Sequence, residues 1–170
     1  LTFFNPKFGL TYNLNNSSNL YASYAVANRE PVRSDFIDAN AGASPSHETL
    51  RNVEIGVRSR NEKLSFEANY YYMNYKNQLV LTGAVNDVGG PIRTNVPKSY
   101  RMGIELSGIY KLTNTITWTA NLTLSKNKIN EFSEVVFASF GEIKHEDSDI
   151  SFSPNVISGS SLNFSPIENL

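Results

Sequence analysis

Cysteine is absent from this 170-residue chain. Its absence excludes a disulfide framework, a thiol nucleophile and a thiolate metal site. No apolar run reaches the ~18 residues of a transmembrane helix, although a membrane-spanning β-barrel needs only alternation and no such run. A surplus of charge is also missing, with 15 Lys and Arg against 16 Asp and Glu, so a general nucleic-acid binder is not expected.

Apolar and polar residues alternate along much of the chain, which is the pattern of β-strands with one buried face. The alternation is cleanest where Ile116, Trp118 and Leu122 are separated by Thr and Asn. Helical periodicity is almost lacking, and the 12% of aromatic residues excludes disorder. The sequence predicts seven strands, at residues 8–14, 20–28, 53–58, 64–81, 101–107, 116–125 and 156–164.

The predicted connections alternate strictly between short and long. Short polar turns are expected at 15–19, 61–63, 113–115 and 165–169, and long loops at 29–49, 83–98 and 130–153. Soluble domains seldom contain several long loops, whereas short turns at one end and long loops at the other are typical of outer-membrane barrels. The predicted fold class is therefore all-β, an antiparallel up-and-down transmembrane β-barrel segment.

The two sides of the predicted strands suggest two environments. Apolar and aromatic side chains that are expected to face lipid or form an aromatic girdle are Tyr70, Tyr72, Trp118, Leu122 and Leu124. The alternative for the tyrosines is the core of a β-sandwich. Polar side chains that are expected to face the lumen or a plug are Glu54, Arg58, Glu67, Arg101, Glu105 and Asn121. The alternative for these is an ordinary solvated sheet face.

Seven strands cannot close a bacterial barrel, since single-chain barrels have an even number of at least eight. The chain starts at Leu1 and ends in what looks like a turn before a further strand. We therefore expect residues 1–170 to be part of a longer barrel domain.

Several stretches resemble the C-terminal half of the barrel of TonB-dependent outer-membrane receptors, in the branch that takes up iron complexes. Their order and spacing cover essentially the whole chain. The stretches are PKFGLTY (6–12), LYASY (20–24), REP (29–31), ETL (48–50), EIGVR (54–58), YYMNYKNQLV (71–80), YRMGIEL (100–106) and SPN (153–155).

The resemblance implies a 22-stranded barrel of a Gram-negative outer membrane, closed inside by an N-terminal plug domain. It implies that the plug and the final strands are absent from these 170 residues, and that the short turns are periplasmic. It also implies a ferric siderophore or similar iron chelate as ligand, and partnership with outer-membrane lipid, the plug and the TonB energy-coupling complex.

Charged residues on the predicted long loops are candidates for ligand capture. Arg29, Arg33 and Arg93 are suited to an anionic chelate, with local pairing to Glu30, Asp35 or Asp87 as the alternative. The acidic segment offers Glu134, Glu142 and His145, with a solvated loop as the alternative. The two histidines have no helical i,i+4 partner, so no metal site is predicted.

The sequence thus predicts part of an active importer and not an enzyme, without cofactors or nucleic-acid partners. No catalytic constellation such as Gly-x-Ser-x-Gly occurs in it. The competing functions are a passive outer-membrane pore and a soluble β-sandwich that binds a ligand.

Overall fold

A single antiparallel sheet accounts for most of the chain. The computed structural model describes residues 2–39, 44–135 and 142–166, without the side chains of 132–135 and 142–145. The elements are β1 (Lys7–Asn15), β2 (Ser18–Arg29), α1 (Arg33–Ile37), β3 (Glu48–Arg60), β4 (Leu64–Val85), β5 (Pro91–Lys111), β6 (Ile116–Val135), β7 (Glu142–Asp149) and β8 (Val156–Phe164).

Each strand pairs with the next in sequence from β1 to β7, which confirms the predicted up-and-down topology. The last two strands both pair with β6. Lys128 near the far end of β6 lies opposite Asp149 of β7, while Leu124 lies opposite Val156 of β8. Because β7 and β8 follow one another along the same edge of β6, eight strands occupy seven positions in the sheet.

Side chains close the turns at one end of the sheet. The Asn15 Oδ1 accepts a hydrogen bond of 2.8 Å from the Ser17 backbone N–H, and Asn61 Oδ1 accepts one of 2.8 Å from the Leu64 N–H. The Thr113 Oγ1 accepts from the Ile116 N–H at 3.0 Å. Asn and Thr side chains that bond to the backbone a few residues on stabilise tight turns, which explains why these connections are short.

Two of the three predicted long loops are largely strands instead. Strand β4 continues to Val85 and β5 begins at Pro91, so the predicted loop 83–98 shrinks to a turn at 86–90. The predicted loop 130–153 contains the end of β6 and all of β7. Alternation misses these extensions because both of their faces carry polar residues, as the run EIKHEDSD of β7 illustrates.

The buried apolar core is small and lies at the end of the sheet with the strand extensions. Val80, Val96, Ile129 and Ile150 pack together there, and each is at most 6% exposed. The remaining predicted long loop includes α1, whose Asp35 Oδ2 accepts a hydrogen bond of 2.9 Å from the Val32 N–H. In the described part of the chain no helix has the length and apolar character needed to cross a membrane.

Candidate functional site

The strand register sorts the residues singled out from the sequence onto two opposite faces. On one face Leu122 lies opposite Leu106, and Ile104 lies between Tyr70 and Leu124 on its two neighbouring strands. We call this the apolar face, and it also carries Tyr72 and Trp118. The other, polar face carries the predicted polar set Glu54, Arg58, Glu67, Arg101, Glu105 and Asn121.

Large apolar side chains are exposed along the apolar face. Trp118, Tyr70 and Leu124 are each between 43% and 46% exposed, and Ile55 reaches 54%. Exposed apolar surfaces of this extent are rare on soluble monomers and mark contacts with proteins or membranes. The face therefore requires an apolar partner that lies outside the chain itself.

A three-residue cluster on the polar face joins β2, β3 and β4. The Tyr21 hydroxyl donates a hydrogen bond of 2.9 Å to Glu67 Oε1, and Arg58 Nε donates one of 2.9 Å to the same oxygen. The Arg58 guanidinium also lies 4.2 Å from the centre of the Tyr21 ring. A stacked cation and two charge-assisted hydrogen bonds fix the orientation of the Glu67 carboxylate.

Arg58 and Glu67 of this cluster also line a cleft on the polar face. The cleft has a volume of about 480 Å³, and its polar lining includes Arg58, Glu67, Ser107, Thr119 and Asn121. Small residues also line it, namely Ser65, Gly108 and Ala120. The cleft is open, and its lining combines these polar groups with the apolar side chains of Phe66 and Ile109.

Two amide oxygens on the polar face are buried without a hydrogen-bond partner, Asn52 Oδ1 and Asn69 Oδ1. The amide nitrogens of the same residues are used, since Asn52 Nδ2 donates to Glu54 Oε1 at 2.7 Å and Asn69 Nδ2 donates to Glu105 Oε2 at 3.3 Å. A buried acceptor without a donor is costly, so these oxygens are positions where a partner's N–H is favoured.

Two further residues of the predicted polar set, Arg101 and Asn121, contribute differently. Arg101 Nη1 donates a hydrogen bond of 2.8 Å to Ser153 Oγ, which ties β5 to the break between β7 and β8. Asn121 stays exposed within the cleft. The side chains of the polar face therefore form several small hydrogen-bonded groups that are separate from one another.

The predicted ligand arginines lie at the end of the sheet with the strand extensions. Arg29 Nε pairs with Glu48 Oε1 at 2.6 Å, and Arg93 Nη1 lies 3.6 Å from Asp35 Oδ1. The partner of Arg93 is therefore Asp35, one of the three acidic residues expected as alternatives, whereas Arg29 pairs with Glu48 of β3. Arg33 is exposed at the start of α1.

Helix α1 and its flanks are attached to the β4–β5 hairpin by polar contacts. Besides the Arg93–Asp35 pair, Asn86 Nδ2 donates to Asp38 Oδ1 at 3.1 Å. The Ser46 N–H donates to Asn95 Oδ1 at 2.8 Å. The segment between β2 and β3 is therefore held against the neighbouring hairpin.

The acidic segment is a β-hairpin and not a loop. Glu134 lies opposite Ile143, Glu142 opposite Val135, and His145 opposite Phe132, but the side chains of these three candidates lie outside the described residues. Glu131 and Glu146 are exposed and directly opposite each other. Within the described ranges no group of three His, Asp or Glu side chains is arranged to hold a metal ion.

Several residues that shape the site were not singled out from the sequence. Tyr21 reaches Glu67 across β3, and Asn52 and Asn69 carry the buried amide oxygens without a partner. The sequence places Tyr21 on the polar side of β2, because alternate residues share a side and Ser23 and Ala25 follow it there. In the structure Tyr21 lies opposite Gly56. Identifying it requires the strand register, which alternation within one strand does not supply.

Comparison with solved structures shows a similar fold in parts of two receptors and a transporter. The ferric-catecholate import receptor Fiu of Escherichia coli K12 is 21% identical, with a TM-score of 0.67 over 95% of this chain and 22% of its own. The siderophore receptor PirA of Pseudomonas aeruginosa is 20% identical, with a TM-score of 0.60 over 76% of this chain and 29% of its own. The copper transporter OprC is 22% identical, with a TM-score of 0.62 over 72% of this chain and 20% of its own.

The chain spans between a fifth and a third of the length of these three proteins. No match was found among curated proteins. The family model described as TonB dependent receptor-like, beta-barrel, matches residues 2–166. Because that match covers nearly the whole chain, and the sheet has the expected topology with one apolar and one polar face, the chain belongs to the TonB-dependent receptors as a segment of their β-barrel.

Proposed function

We propose that the chain is part of an outer-membrane receptor that imports an iron chelate with energy supplied through TonB. The observation that carries this proposal is the family match over residues 2–166. This family comprises transport receptors of Gram-negative outer membranes and not enzymes. The parent protein is then a longer chain, with a plug domain and further strands beyond these 170 residues.

In this proposal the apolar face lies against lipid. Strand β5 gives the height of the apolar band, because Tyr100 and Tyr110 are ten residues apart on the same face. A strand rises about 3.3 Å per residue, and a tilt of about 40° reduces ten residues to roughly 25 Å, the height of the apolar band of outer-membrane barrels. Tyrosines at both ends suit the two lipid–water boundaries.

The polar face lies against the plug in this proposal. The unpartnered oxygens of Asn52 and Asn69 are acceptors for plug N–H donors, and the cleft beside Arg58 and Glu67 receives a plug segment. The Glu67 carboxylate is already held by Tyr21 and Arg58, so it does not have to reorganise when the plug packs against it. A preorganised wall of this kind suits a plug that must move during transport and return.

The ligand candidates lie at the extracellular end. Arg29, Arg33 and Arg93 provide positive charge for an anionic chelate, and the β6–β7 hairpin with Glu134, Glu142 and His145 extends beside them. Arg33 is exposed, whereas Arg29 and Arg93 already have carboxylate neighbours. An anionic ligand competes with those carboxylates for the guanidinium groups.

Uptake of labelled iron by the full receptor tests the proposal. The receptor is produced in a strain without other iron-chelate receptors, with and without TonB, and supplied with ⁵⁵Fe bound to catecholate or hydroxamate chelators. We expect uptake of at least one chelate that is lost without TonB. Uptake that continues without TonB would indicate the passive pore, and the absence of TonB-dependent uptake of any supplied chelate would contradict an iron-chelate cargo.

A further inference from the structure

A further cleft lies at the short-turn end of the sheet, between the turn that joins β3 to β4 and the turn that joins β5 to β6. Its volume is about 450 Å³, and its lining consists of Glu62, Lys63, Lys111, Leu112, Thr113 and Asn114. We call it the turn cleft. It is separate from the cleft on the polar face, because the two have no lining residue in common. Neither the proposed lipid contact nor the proposed plug contact uses it.

Hydrogen bonds hold both walls of the turn cleft in place. On one side Asn61 Oδ1 accepts a hydrogen bond of 3.0 Å from the Lys63 backbone N–H. On the other side Thr113 Oγ1 accepts one of 3.2 Å from the Thr115 N–H. The Lys111 N–H donates to the Lys63 carbonyl oxygen at 2.9 Å, which joins the two walls. A ligand therefore meets a cleft that is already formed, and a preformed site loses less conformational entropy on binding.

The turn cleft has a positive net charge. Lys63 and Lys111 are both exposed, and the backbone hydrogen bond between them places the two residues side by side, where like charges repel. Glu62 supplies the carboxylate of the lining. None of the ion pairs in the described part of the chain includes these three residues. A bound anion would offset the repulsion between the lysines.

The charges of the turn cleft match a short peptide that carries more carboxylates than amines. The two lysine ammonium groups bind carboxylates through charge-assisted hydrogen bonds, and the Glu62 carboxylate binds an amine. The volume of the cleft lies in the range of sites for small ligands. The stem peptides of the bacterial cell wall have this chemistry, because their glutamate and diaminopimelate residues carry several carboxylates and one free amine.

We propose that the turn cleft binds the carboxylates of cell-wall stem peptides in the periplasm. Binding at this site attaches the receptor to the cell wall beneath the outer membrane without involving the lumen of the barrel. The inference rests on the proposed outer-membrane location, in which the short turns are periplasmic, and not on the proposed cargo.

Binding of the full receptor to a cell-wall fragment tests the proposal. The purified receptor in detergent is titrated with a soluble disaccharide tripeptide released from cell-wall sacculi, and the affinity is measured by calorimetry. The variant Lys63→Gln/Lys111→Gln is compared with Lys76→Gln/Lys98→Gln, which removes two lysines that face each other at the other end of β4 and β5. An exposed ion pair changes affinity by up to about fivefold, so the first variant alone should bind roughly tenfold more weakly.

Two further comparisons separate a carboxylate site from other contacts with the fragment. We expect Lys63→Arg/Lys111→Arg to bind as the natural protein does, because the positive charges are kept. The tripeptide with its carboxylates converted to methyl esters should bind weakly to every variant. Equal losses in both glutamine variants, no loss in either, or undiminished binding of the methyl esters would overturn the proposal.

Crosslinking in intact cell envelopes identifies the partner of the turn cleft. A carbodiimide joins an amine to a carboxylate only where the two groups are in direct contact. After muramidase digestion we expect peptides with Lys63 or Lys111 to carry the mass of a cell-wall fragment, and peptides with Lys76 to carry none. Crosslinks confined to Glu62, to the plug or to another periplasmic protein would overturn the proposal. A receptor that imports no iron chelate but carries these adducts fails the proposed function alone.

Discussion

Gly56 lies directly opposite Tyr21 in the β2–β3 register, and the Tyr21 ring covers it. A Cβ atom at position 56 would collide with the ring carbon Cζ and the hydroxyl oxygen Oη of Tyr21. Because Gly56 leaves that space free, the Tyr21 hydroxyl crosses β3 and reaches Glu67 on β4. A missing side chain on the middle strand thus allows the strands on either side to be connected.

Replacing Gly56 should therefore break this connection. Gly56→Val displaces the Tyr21 ring, so the hydrogen bond to Glu67 and the stacking with Arg58 are lost. We expect the free energy of unfolding to fall by ~1–3 kcal/mol. The measurement is thermal unfolding of the full receptor in detergent. Gly9→Val is the matched control, since a Cβ at Gly9 meets only the Ala22 carbonyl oxygen, at 3.9 Å.

A double-mutant cycle assigns the cost to the ring. Once Tyr21→Ala has removed the ring, Gly56→Val should have little further effect, because the two residues are in contact and their effects are not additive. An undiminished effect of Gly56→Val in the Tyr21→Ala background would show that the cost does not come from the ring.

A second prediction concerns which side of β6 faces lipid. Because the chain contains no cysteine, single introduced cysteines can carry the labels that test it. Spin labels at Leu122 and Leu124 should contact lipid and respond mainly to oxygen, because oxygen concentrates in the bilayer core. Labels at Asn121 and Thr123 should be shielded from the bilayer and respond mainly to a water-soluble nickel chelate. Similar accessibility at positions 122 and 123 in reconstituted receptor would contradict the assignment of the two faces.

The fold was largely predictable because the strands within the apolar band have one apolar face each. Alternation from Ile116 to Ser125 located the centre of β6, and the side-chain-closed turns at Asn15 and Asn61 located the hairpins. It missed β7, where polar residues occupy both faces. Alternation carries information only where the two faces meet different surroundings.

The site was less predictable, since its contacts join distant residues. Tyr21 and Glu67 are 46 positions apart, and Asp35 is 58 positions before Arg93. Their meeting depends on strand register and on a helix that five residues form between two strands. The assignment of arginines and of the acidic hairpin to ligand binding stays a prediction.

The Arg93–Asp35 pair leads to a third prediction, on the segment between β2 and β3. Asp35 is only 5% exposed, so Arg93→Gln leaves a buried carboxylate without its cation and should loosen α1 by about 1 kcal/mol. Hydrogen exchange of the amides in 33–38 should accelerate roughly fivefold. Arg33→Gln serves as control, because Arg33 is exposed on the same helix. Equal acceleration in both variants would show that the pair does not hold the helix.

A fourth prediction is that the β6–β7 hairpin contributes to ligand binding but is not needed for barrel assembly. Replacing residues 132–145 with Asn-Gly leaves Glu131 and Glu146 flanking a two-residue turn, as favoured for tight hairpins. It also leaves Ile129 and Ile150 in the small core. We expect the shortened receptor to show the normal heat-dependent shift on gels, which reports a folded barrel. We also expect it to bind the proposed chelate more weakly. Unchanged affinity and uptake would exclude the hairpin from ligand capture.

The last prediction concerns the 170 residues expressed alone. Strand β1 and strand β8 are exposed throughout, and in the described part of the sheet each pairs with one neighbour only. Their outward side chains Phe8, Leu10 and Leu162 are 67%, 74% and 68% exposed. Unpaired edges beside an apolar face recruit further strands, and in lipid each unpaired backbone group costs several kcal/mol. The isolated chain should therefore aggregate in water or form oligomers through its edges, as analytical ultracentrifugation without detergent will show. A single 19.0 kDa species that unfolds cooperatively would instead indicate that this sheet is stable without lipid and without the neighbouring strands of a barrel.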